Sequence, residues 1–427
     1  MNRKERRNLK KDKNLVKELY SIIVKYLPEL LTMFGNLTDV RHKSYVTYTM
    51  KTICVTRLFP LLCGITTMTD ISTDTFNTDN CIKNISKICN QSLKELPYWE
   101  TIQDVFINIK TEELRDIQKY IVKTLIRSKM FARYKYDGYF QLVVDGSGLS
   151  SHSYNLNSNC IKKKYMDGKI AYCKYILECK LIVGNIVISL DSEWIENEDN
   201  LNKNQKQDCE TKAFERMAKR IKKNYPKQKF IITADALYCT SPMIKTCKLN
   251  NWKYIFNLND RLRTVLKDFN DYIECFNDCS VQNYFLDKNY KYQDHKFNII
   301  KFTEFKKNKT TNFHYITNLD VTDGNIKDIV SLGRNRWKIE NQGFYNQKHR
   351  LFDITHLNSR NETALKNHYF FIQIAHTIRQ LLERGNKVTK LLNLKIKEVS
   401  SLLLSNLTST ISDLNNLETN FQLRFDD

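Results

Sequence analysis

Hydrophobic residues recur every three to four positions along the first 130 residues, as in LVKELYSIIVKYLPELLTMF from position 15 and TEELRDIQKYIVKTLI from position 111. This spacing places apolar side chains on one face of a helix. It predicts a helical N-terminal region over residues 1–130. The segments HYFFIQIAHTIRQLLERG and LKIKEVSSLLLSNLTSTI show the same period and predict further helices towards the C-terminus.

From position 139 the pattern changes to short apolar runs typical of strands. The run YFQLVVD predicts a strand that ends at Asp145, followed by a turn in GSGLSSH. Two later runs, KYILECKLIV and IVISLDSEWIEN, are separated by Gly184 and Asn185, which predicts an antiparallel hairpin.

The segment FIITADALYCTSPMIKTCKLNNWKYIFNLN predicts a strand ending at Asp235, then a helix and another strand. A strand, helix and strand in succession indicate a crossover between two parallel strands. Combined with the hairpin, this crossover predicts a mixed sheet.

Between residues 257 and 324 the chain is polar and aromatic, with β-prone stretches such as FNIIKF and FHYITNL and no helical period. We predict a β-rich insertion there. The next segment, RNRWKIENQGFYNQK at 334–348, predicts a helix. On an ideal α-helix, one face would hold Arg336, Glu340 and Gln347. The neighbouring face would hold Trp337, Phe344 and Lys348.

Glu340 is thus a carboxylate in a basic and aromatic setting. Arg and Lys neutralise phosphate, an indole can stack on an unstacked base, and a carboxylate beside them can hold a metal ion against the phosphate. An ordinary amphipathic helix in which Arg336 and Glu340 form an ion pair four residues apart explains the same residues. The helix alone leaves both interpretations open.

The charge balance narrows the choice of partner. The chain has 68 Lys and Arg against 47 Asp and Glu, a formal net charge of +21, which indicates a polyanionic partner, and nucleic acid is favoured over an anionic membrane. No apolar run approaches the roughly 20 residues that span a bilayer. The first thirteen residues hold seven basic and two acidic side chains and form either a DNA-contacting arm or a solubilising tail.

The address predicted from the sequence is cytoplasmic and nucleoid-associated. The charged N-terminus is followed by an amphipathic segment and does not resemble a secretory signal. The 12 cysteines contain no CxxC pair, so we expect reduced, mostly buried thiols.

Three carboxylates stand out: Asp145 and Asp235 after strands, and Glu340 on a helix. Such a set can bind two divalent ions about 4 Å apart, which activate the attacking hydroxyl and stabilise the leaving oxygen. Carboxylate ligands favour Mg²⁺, with Mn²⁺ as a substitute.

The segments VVDGSG, ITADALY and RWKIENQGF around these residues resemble DDE transposases of the insertion-sequence-four superfamily. The resemblance implies that Asp145, Asp235 and Glu340 are the catalytic and metal-binding residues. The family's helix signature is tyrosine, arginine, glutamate and lysine. Here Arg336 and Glu340 take the middle positions and Gly333 stands at the tyrosine position. Gln347 stands at the lysine position, so the lysine role is assigned to Lys348.

The resemblance further implies an α/β fold: an RNase H-like mixed-sheet catalytic core with a β-rich insertion, preceded and followed by helical regions. The predicted regions are an N-terminal helical DNA-binding region at 1–130, the core at 131–256 and 325–385, the insertion at 257–324 and a helical tail at 386–427. Arg336, Trp337 and Lys348 are the implied DNA-binding residues.

The activity implied is cut-and-paste transposition, with metal-dependent cleavage at the ends of a DNA element and strand transfer into target DNA. The implied partners are double-stranded DNA, as terminal inverted repeats and target, and a second copy of the chain in a synaptic dimer. Two alternatives remain open: an RNase H-fold nuclease without strand transfer, and a domesticated DNA-binding protein without activity.

Overall fold

A computed structural model describes residues 13–198, 206–259, 262–275, 283–306, 309–411, 414 and 422–425 of the chain. The predicted basic arm falls almost wholly on residues 1–12, outside the described residues. The chain divides into two compact units. The first comprises Met1–Arg133, Val183–Ser189 and Gln342–Asp427, and the second comprises Tyr134–Ile182 and Leu190–Asn341.

The α-helices of the described residues are numbered in chain order. They are α1 Leu15–Tyr26, α2 Leu30–Gly35, α3 Met50–Leu62, α4 Asp79–Cys89, α5 Trp99–Asn108, α6 Thr111–Arg127, α7 Glu210–Asn224, α8 Ser241–Leu249, α9 Arg263–Cys275, α10 Ile326–Arg334, α11 Tyr345–His349, α12 Glu362–Gln380, α13 Lys387–Leu392 and α14 Ile396–Leu407. Two π-helical turns, Ile339–Phe344 and Leu381–Gly385, precede α11 and follow α12.

The strands of the described residues form one sheet. They are β1 Phe140–His152, β2 Ile161–Lys164, β3 Ile170–Val183, β4 Ile186–Ile195, β5 Phe230–Ala234, β6 Lys253–Asn257, β7 Tyr284–Tyr292, β8 His295–Lys306 and β9 Lys309–Thr317.

Helix α12 organises the first unit. It is buried along almost its whole length, and it packs against α3, α5 and α6. The side chain of Asn361 caps it by accepting a hydrogen bond from the backbone N–H of Ala364 at 3.0 Å. The buried guanidinium of Arg379 is paired with Glu383 at 2.6 Å and donates to the backbone of Ile396 at 2.9 Å. Because its charge is matched inside the unit, Arg379 can tie α12 to α14 without leaving an unpaired ion.

The second unit is built on the mixed sheet that the sequence predicts. Its strand order is β2-β3-β1-β5-β6-β9-β8-β7, with β4 also paired to β3. Strands β1, β5 and β6 are parallel, whereas β1 with β3 and β6 with β9 are antiparallel. Helices α8 and α10 pack on the parallel strands. The fold is an α/β, RNase H-like fold, as predicted.

Two local predictions about this sheet are confirmed. Strands β3 and β4 form the hairpin expected at Gly184 and Asn185. Strands β5 and β6 are parallel and joined by α8, with Ile232 opposite Tyr254. Both features follow from the local patterns, because a two-residue turn joins antiparallel strands and a helix joins parallel ones.

The region predicted as a β-rich insertion continues the same sheet. Strand β9 pairs with β6, and β8 and β7 extend the sheet beyond it. The prediction that this region lacks a helical period is wrong, because α9 lies within it. The buried residues of α9 are Val265, Phe269 and Ile273. This stripe is only one residue wide at each turn, so the polar residues between conceal its period in the sequence.

The cysteines whose side chains the structure describes, which exclude Cys275, are unpaired, and every one of them except Cys209 is buried, in agreement with the prediction of mostly buried thiols. Among these same residues, no helix has both the length and the apolar character needed to cross a bilayer.

Candidate active site

Asp145 lies in the middle of β1, and the prediction that the strand ends there is wrong. The strand continues through GSGLSSH to His152 because β3 pairs with it along this length, with Asp145 opposite Glu178 and His152 opposite Tyr172. The glycine after Asp145 serves close packing, since a Cβ on Gly146 would lie 2.3 Å from a carboxylate oxygen of Glu210. Glycines that read as a turn in the sequence therefore lie within an extended strand.

The register of the parallel strands brings Asp145 and Asp235 to neighbouring positions. Val144 is opposite Ala234 in the β1–β5 pair. Asp145 follows Val144 within β1, and Asp235 follows Ala234 directly after the end of β5. Neighbouring strands lie about 4.8 Å apart. Each carboxylate is fixed through its Oδ1, which accepts the N–H of Gly146 at 2.9 Å in Asp145 and that of Leu237 at 2.7 Å in Asp235.

Glu340 lies on a helical segment that departs from the predicted geometry. Helix α10 ends at Arg334, residues 335 and 336 form a turn, and the chain is helical again over residues 337–349, with a π-helical turn at Ile339–Phe344 before α11. The prediction of one continuous helix over 334–348 is therefore wrong at its start. A π-helical turn has a wider hydrogen-bond spacing than an α-helix, so the faces predicted from 3.6 residues per turn do not continue past it. Gln347, for example, is fully buried and donates a hydrogen bond to Gln373 at 2.8 Å.

Arg336 and Trp337 lie just before this turn. The guanidinium of Arg336 is 3.5 Å from Glu340 Oε1, so the i,i+4 ion pair considered for these residues is present. The same guanidinium lies 4.3 Å from the centre of the Trp337 ring, and about half of Trp337 is exposed. Trp337 is therefore not a core residue, and its ring is accessible to a ligand.

Lys348 belongs to the first unit, as part of α11. Its side chain is half-buried, and its ammonium lies 5.9 Å from the centre of the Phe344 ring. The role assigned to Lys348 from the resemblance stays a prediction.

The pKa of Asp145 shows which charged groups surround it. Burial, together with the negative charges of Asp235, Glu340 and Glu210, raises this pKa to about 7, although the positive charge of Arg336 acts in the opposite direction. Asp235 and Glu340, which are far from Asp145 in the sequence, thus lie close enough to it in the second unit for their charges to act on it. A strongly perturbed carboxyl with such neighbours is characteristic of functional sites.

Glu210 is a further carboxylate at this site that the sequence analysis missed. It is the first residue of α7, it lies against Gly146, and it raises the pKa of both Asp145 and the buried Tyr238. No local motif marks it in the sequence. Its proximity to Asp145 results from the contact of Glu210, at the start of α7, with Gly146 of β1, which only the fold reveals.

The glycine at the tyrosine position of the family signature has a structural cause. A Cβ on Gly333 would lie 2.6 Å from Cε1 and 2.8 Å from Cζ of Tyr315. The ring of Tyr315, on β9, is buried and packs in the core cluster with Ile329 and Val330 of α10. Tyr315 therefore occupies the space beside α10 that a side chain at position 333 would need.

We expect Gly333→Ala to destabilise the protein by about 1–3 kcal/mol, because a buried ring or the helix must shift to admit the methyl group. This cost opposes the gain of up to about 1 kcal/mol in helix propensity. Gly35→Ala is a matched control, since the nearest atom to a Cβ on Gly35 is Lys51 Cβ at 3.8 Å. Urea unfolding of both variants gives the comparison. Equal stability of Gly333→Ala and the wild type would contradict the close packing against Tyr315.

The donor chemistry of Asp145, Asp235 and Glu340 suits a hard divalent cation, because all three offer carboxylate oxygens and their mutual repulsion would be relieved by positive charge. Among the described residues, however, no group of three or more His, Cys, Asp or Glu side chains is close enough together to hold a metal ion.

One comparison with known proteins bears on this site. Residues 204–378 match the family model described as "Transposase DDE domain". This segment includes Asp235, Glu340 and Glu210 and begins after Asp145. No curated protein matches the chain. The family match supports a DDE transposase.

Proposed function

We propose that the protein is a transposase of the insertion-sequence-four superfamily that cleaves DNA at the ends of a mobile element and transfers the freed strands into target DNA. The observation that supports this most directly is that Asp145 and Asp235 lie on or next to neighbouring parallel strands of the RNase H-like unit and that the charges of Asp235 and Glu340 both act on Asp145. The match of residues 204–378 to a transposase domain agrees with it.

In this proposal Asp145, Asp235 and Glu340 are the catalytic residues and would hold two Mg²⁺ ions, or Mn²⁺ in their place. When bound, such ions make water or a 3′-hydroxyl more nucleophilic and stabilise the leaving oxygen. The chain's own contribution is to hold the two aspartates on or next to neighbouring strands of the sheet, with the hydrogen bonds from Gly146 and Leu237 fixing their carboxylates.

The neighbouring cations and aromatics would bind the DNA. Arg336 supplies positive charge next to the carboxylates, and the half-exposed Trp337 offers a ring face on which a base can stack. Lys348 would contact phosphate. The net charge of +21 suits both the element ends and the target DNA. Residues 1–130 would form a DNA-binding region, and a dimer would hold two ends together in the nucleoid.

We expect the wild-type protein to nick and join a labelled duplex carrying an element end in Mg²⁺ or Mn²⁺ and to be inactive in Ca²⁺ or EDTA. The larger and more loosely coordinated Ca²⁺ does not impose the geometry that in-line transfer needs. Denaturing gels separate nicked strands from joined products.

The products also distinguish the alternatives. Joined strands support the transposase. Nicking without joining in the same assay would favour a nuclease, and DNA binding without either reaction would favour a domesticated binding protein.

A further inference from the structure

Strands β2 and β3 form a basic hairpin that extends from the sheet beyond Asp145. Its ladder runs from the Ile161–Cys173 pair to the Lys164–Ile170 pair. At the turn, Gly168 has φ +82 and donates its N–H to the carbonyl of Tyr165. Residues 162–170 are exposed without exception, and Met166 is fully exposed. We call residues 161–173 the β2–β3 arm.

The strand register shows which lysines of the arm lie on the same side of the sheet as Asp145. Asp145 is opposite Glu178 of β3, and residues directly opposite each other share a face. Side chains alternate along a strand, so Tyr172 and Ile170 of β3 lie on that face too. The bulge in this pair is in β1, between Gly148 and Ser150, and leaves the alternation of β3 intact.

The lysines opposite these two residues are Lys162, paired with Tyr172, and Lys164, paired with Ile170. Both therefore lie on the Asp145 side. Lys163 is opposite Ala171 and lies on the other side, with its ammonium 5.2 Å from the centre of the Tyr165 ring.

The charges of the arm are unevenly distributed between its two faces and its turn. In the turn, Lys169 is paired with the acid of the arm, Asp167, at 2.9 Å. On the Asp145 side, Lys162 lies 6.0 Å from the centre of the half-exposed Tyr172 ring. Farther along the same face of β3, Lys174 is buried and paired with Glu196 at 3.7 Å. The exposed positive charge on this face is therefore carried by Lys162 and Lys164.

The distance from the carboxylates to these lysines follows from strand geometry. On β3, Glu178 is six residues from Tyr172, which is opposite Lys162, and eight residues from Ile170, which is opposite Lys164. A strand rises about 3.3 Å per residue, which gives roughly 20 Å and roughly 26 Å. Base pairs of a DNA duplex are about 3.4 Å apart, so these two lengths span about six and about eight base pairs. A duplex whose scissile phosphate lies at the carboxylates would therefore have backbone phosphates within reach of the two lysines.

We propose that Lys162 and Lys164 of the β2–β3 arm bind the phosphate backbone of the DNA molecule being cut, about six to eight base pairs from the scissile phosphate. This inference rests on the proposed function, because the position is measured from the proposed catalytic carboxylates. The arm positions DNA and takes no part in the chemistry.

The first test compares two double variants that remove the same charge: Lys162→Gln with Lys164→Gln, and the control Lys163→Gln with Lys169→Gln. The probe is a fluorescein-labelled DNA duplex of about 30 base pairs, titrated by anisotropy at several salt concentrations. We expect the first pair to lower the slope of log K against log salt by about 1.8 and the affinity at 0.1 M salt roughly tenfold or more. In the control pair, the decreases in salt slope and in log affinity should be less than half as large. Both double variants should have the melting temperature of the wild type.

Equal losses in the two pairs would overturn the arm proposal and leave the proposed function standing. A wild-type affinity that does not vary with salt would instead count against DNA as the substrate, and so against both proposals.

The second test locates the contact on a duplex that the wild type cleaves. Shortening the DNA on one side of the cut to fewer than about six base pairs should slow the wild type to the rate of the Lys162→Gln, Lys164→Gln variant. The variant itself should not slow further, because it has already lost the contact that the removed DNA provides. If shortening on either side slows the wild type and the variant by the same factor, the arm does not bind at this position and the proposal fails.

Discussion

Asp145→Asn is expected to abolish DNA cleavage and at the same time to make the metal-free protein more stable near neutral pH. Burial and the charges of Asp235, Glu340 and Glu210 raise the pKa of Asp145 to about 7. Ionised Asp145 therefore carries a free-energy cost in the folded state that the unfolded chain does not have. Asparagine removes the charge and keeps an oxygen that can accept the N–H of Gly146. Where activity requires a charge that lowers the stability of the folded protein, a substitution that removes this charge is expected to raise stability and abolish activity.

The sign of the pH dependence follows from the direction of this shift. Because the pKa of Asp145 is higher in the folded than in the unfolded state, the folded protein binds more protons between about pH 4 and pH 7. The contribution of Asp145 to stability thus falls as pH rises through this window. The advantage of Asp145→Asn should be near zero at pH 4 and reach on the order of 2–4 kcal/mol above pH 7.

Unfolding curves of both proteins in EDTA at pH 4.5 and pH 8 measure this difference. Asp323→Asn, in an exposed turn of the same unit, is the control for removal of one negative charge. Adding Mg²⁺ or Mn²⁺ at pH 8 should raise the melting temperature of the wild type more than that of Asp145→Asn, because cation binding stabilises the folded state. A variant that is less stable than the wild type at pH 8 would contradict the charge repulsion inferred for this site.

The parts of the second unit that were predictable from the sequence are those set by local pattern. VVD and FIITAD are apolar runs that end in an aspartate, and such runs form buried strands whatever follows them. The turn at Gly184 and the helix after Asp235 then indicate which strands are antiparallel and which are parallel. The sequence predicts the two strands that lead to Asp145 and Asp235. Their closeness follows from the parallel register of these strands, which is known only from the structure.

Other features depend on contacts that no local pattern encodes. GSG after Asp145 reads as a turn because glycines usually break strands, yet here Gly146 makes room for Glu210. Glu210 itself lies at the site because α7 begins next to Gly146. The π-helical turn at Ile339–Phe344 inserts one residue's worth of extra winding, which hydrophobic spacing in the sequence does not reveal. These features arise from tertiary contacts and are concentrated around the carboxylates. Local sequence patterns are expected to predict the structure least well at a functional site.

The sharpest test of the proposed function is Glu340→Gln, because an ion-pair partner and a metal ligand make different demands on this residue. Glutamine keeps the size and helix propensity of glutamate and removes its charge. As a partner of Arg336 at 3.5 Å, Glu340 has a side chain that is 42% exposed. Solvent weakens such a pair, so its loss should cost no more than about 0.5 kcal/mol.

If Glu340 also helps to hold the catalytic cations, cleavage and joining should fall by several orders of magnitude in the same variant. Binding of an element-end duplex should persist, because the affinity comes mainly from basic groups. Glu362→Gln is a matched control, since it removes another i,i+4 pair, with Lys366 at 2.8 Å, from a helix to which no catalytic role is assigned.

Cleavage of a labelled element end, a melting curve and an anisotropy titration on both variants and the wild type give all three quantities. Loss of cleavage in Glu340→Gln alone, with stability and DNA affinity unchanged in both variants, would support Glu340 as a catalytic residue. Wild-type cleavage by a folded Glu340→Gln protein would reduce Glu340 to the ion-pair partner of Arg336, because a carboxylate required to hold a divalent cation cannot be replaced by a neutral amide without loss of rate. The three-carboxylate mechanism would then lack its third residue, and Glu210, which lies against Gly146, would be the next carboxylate to test.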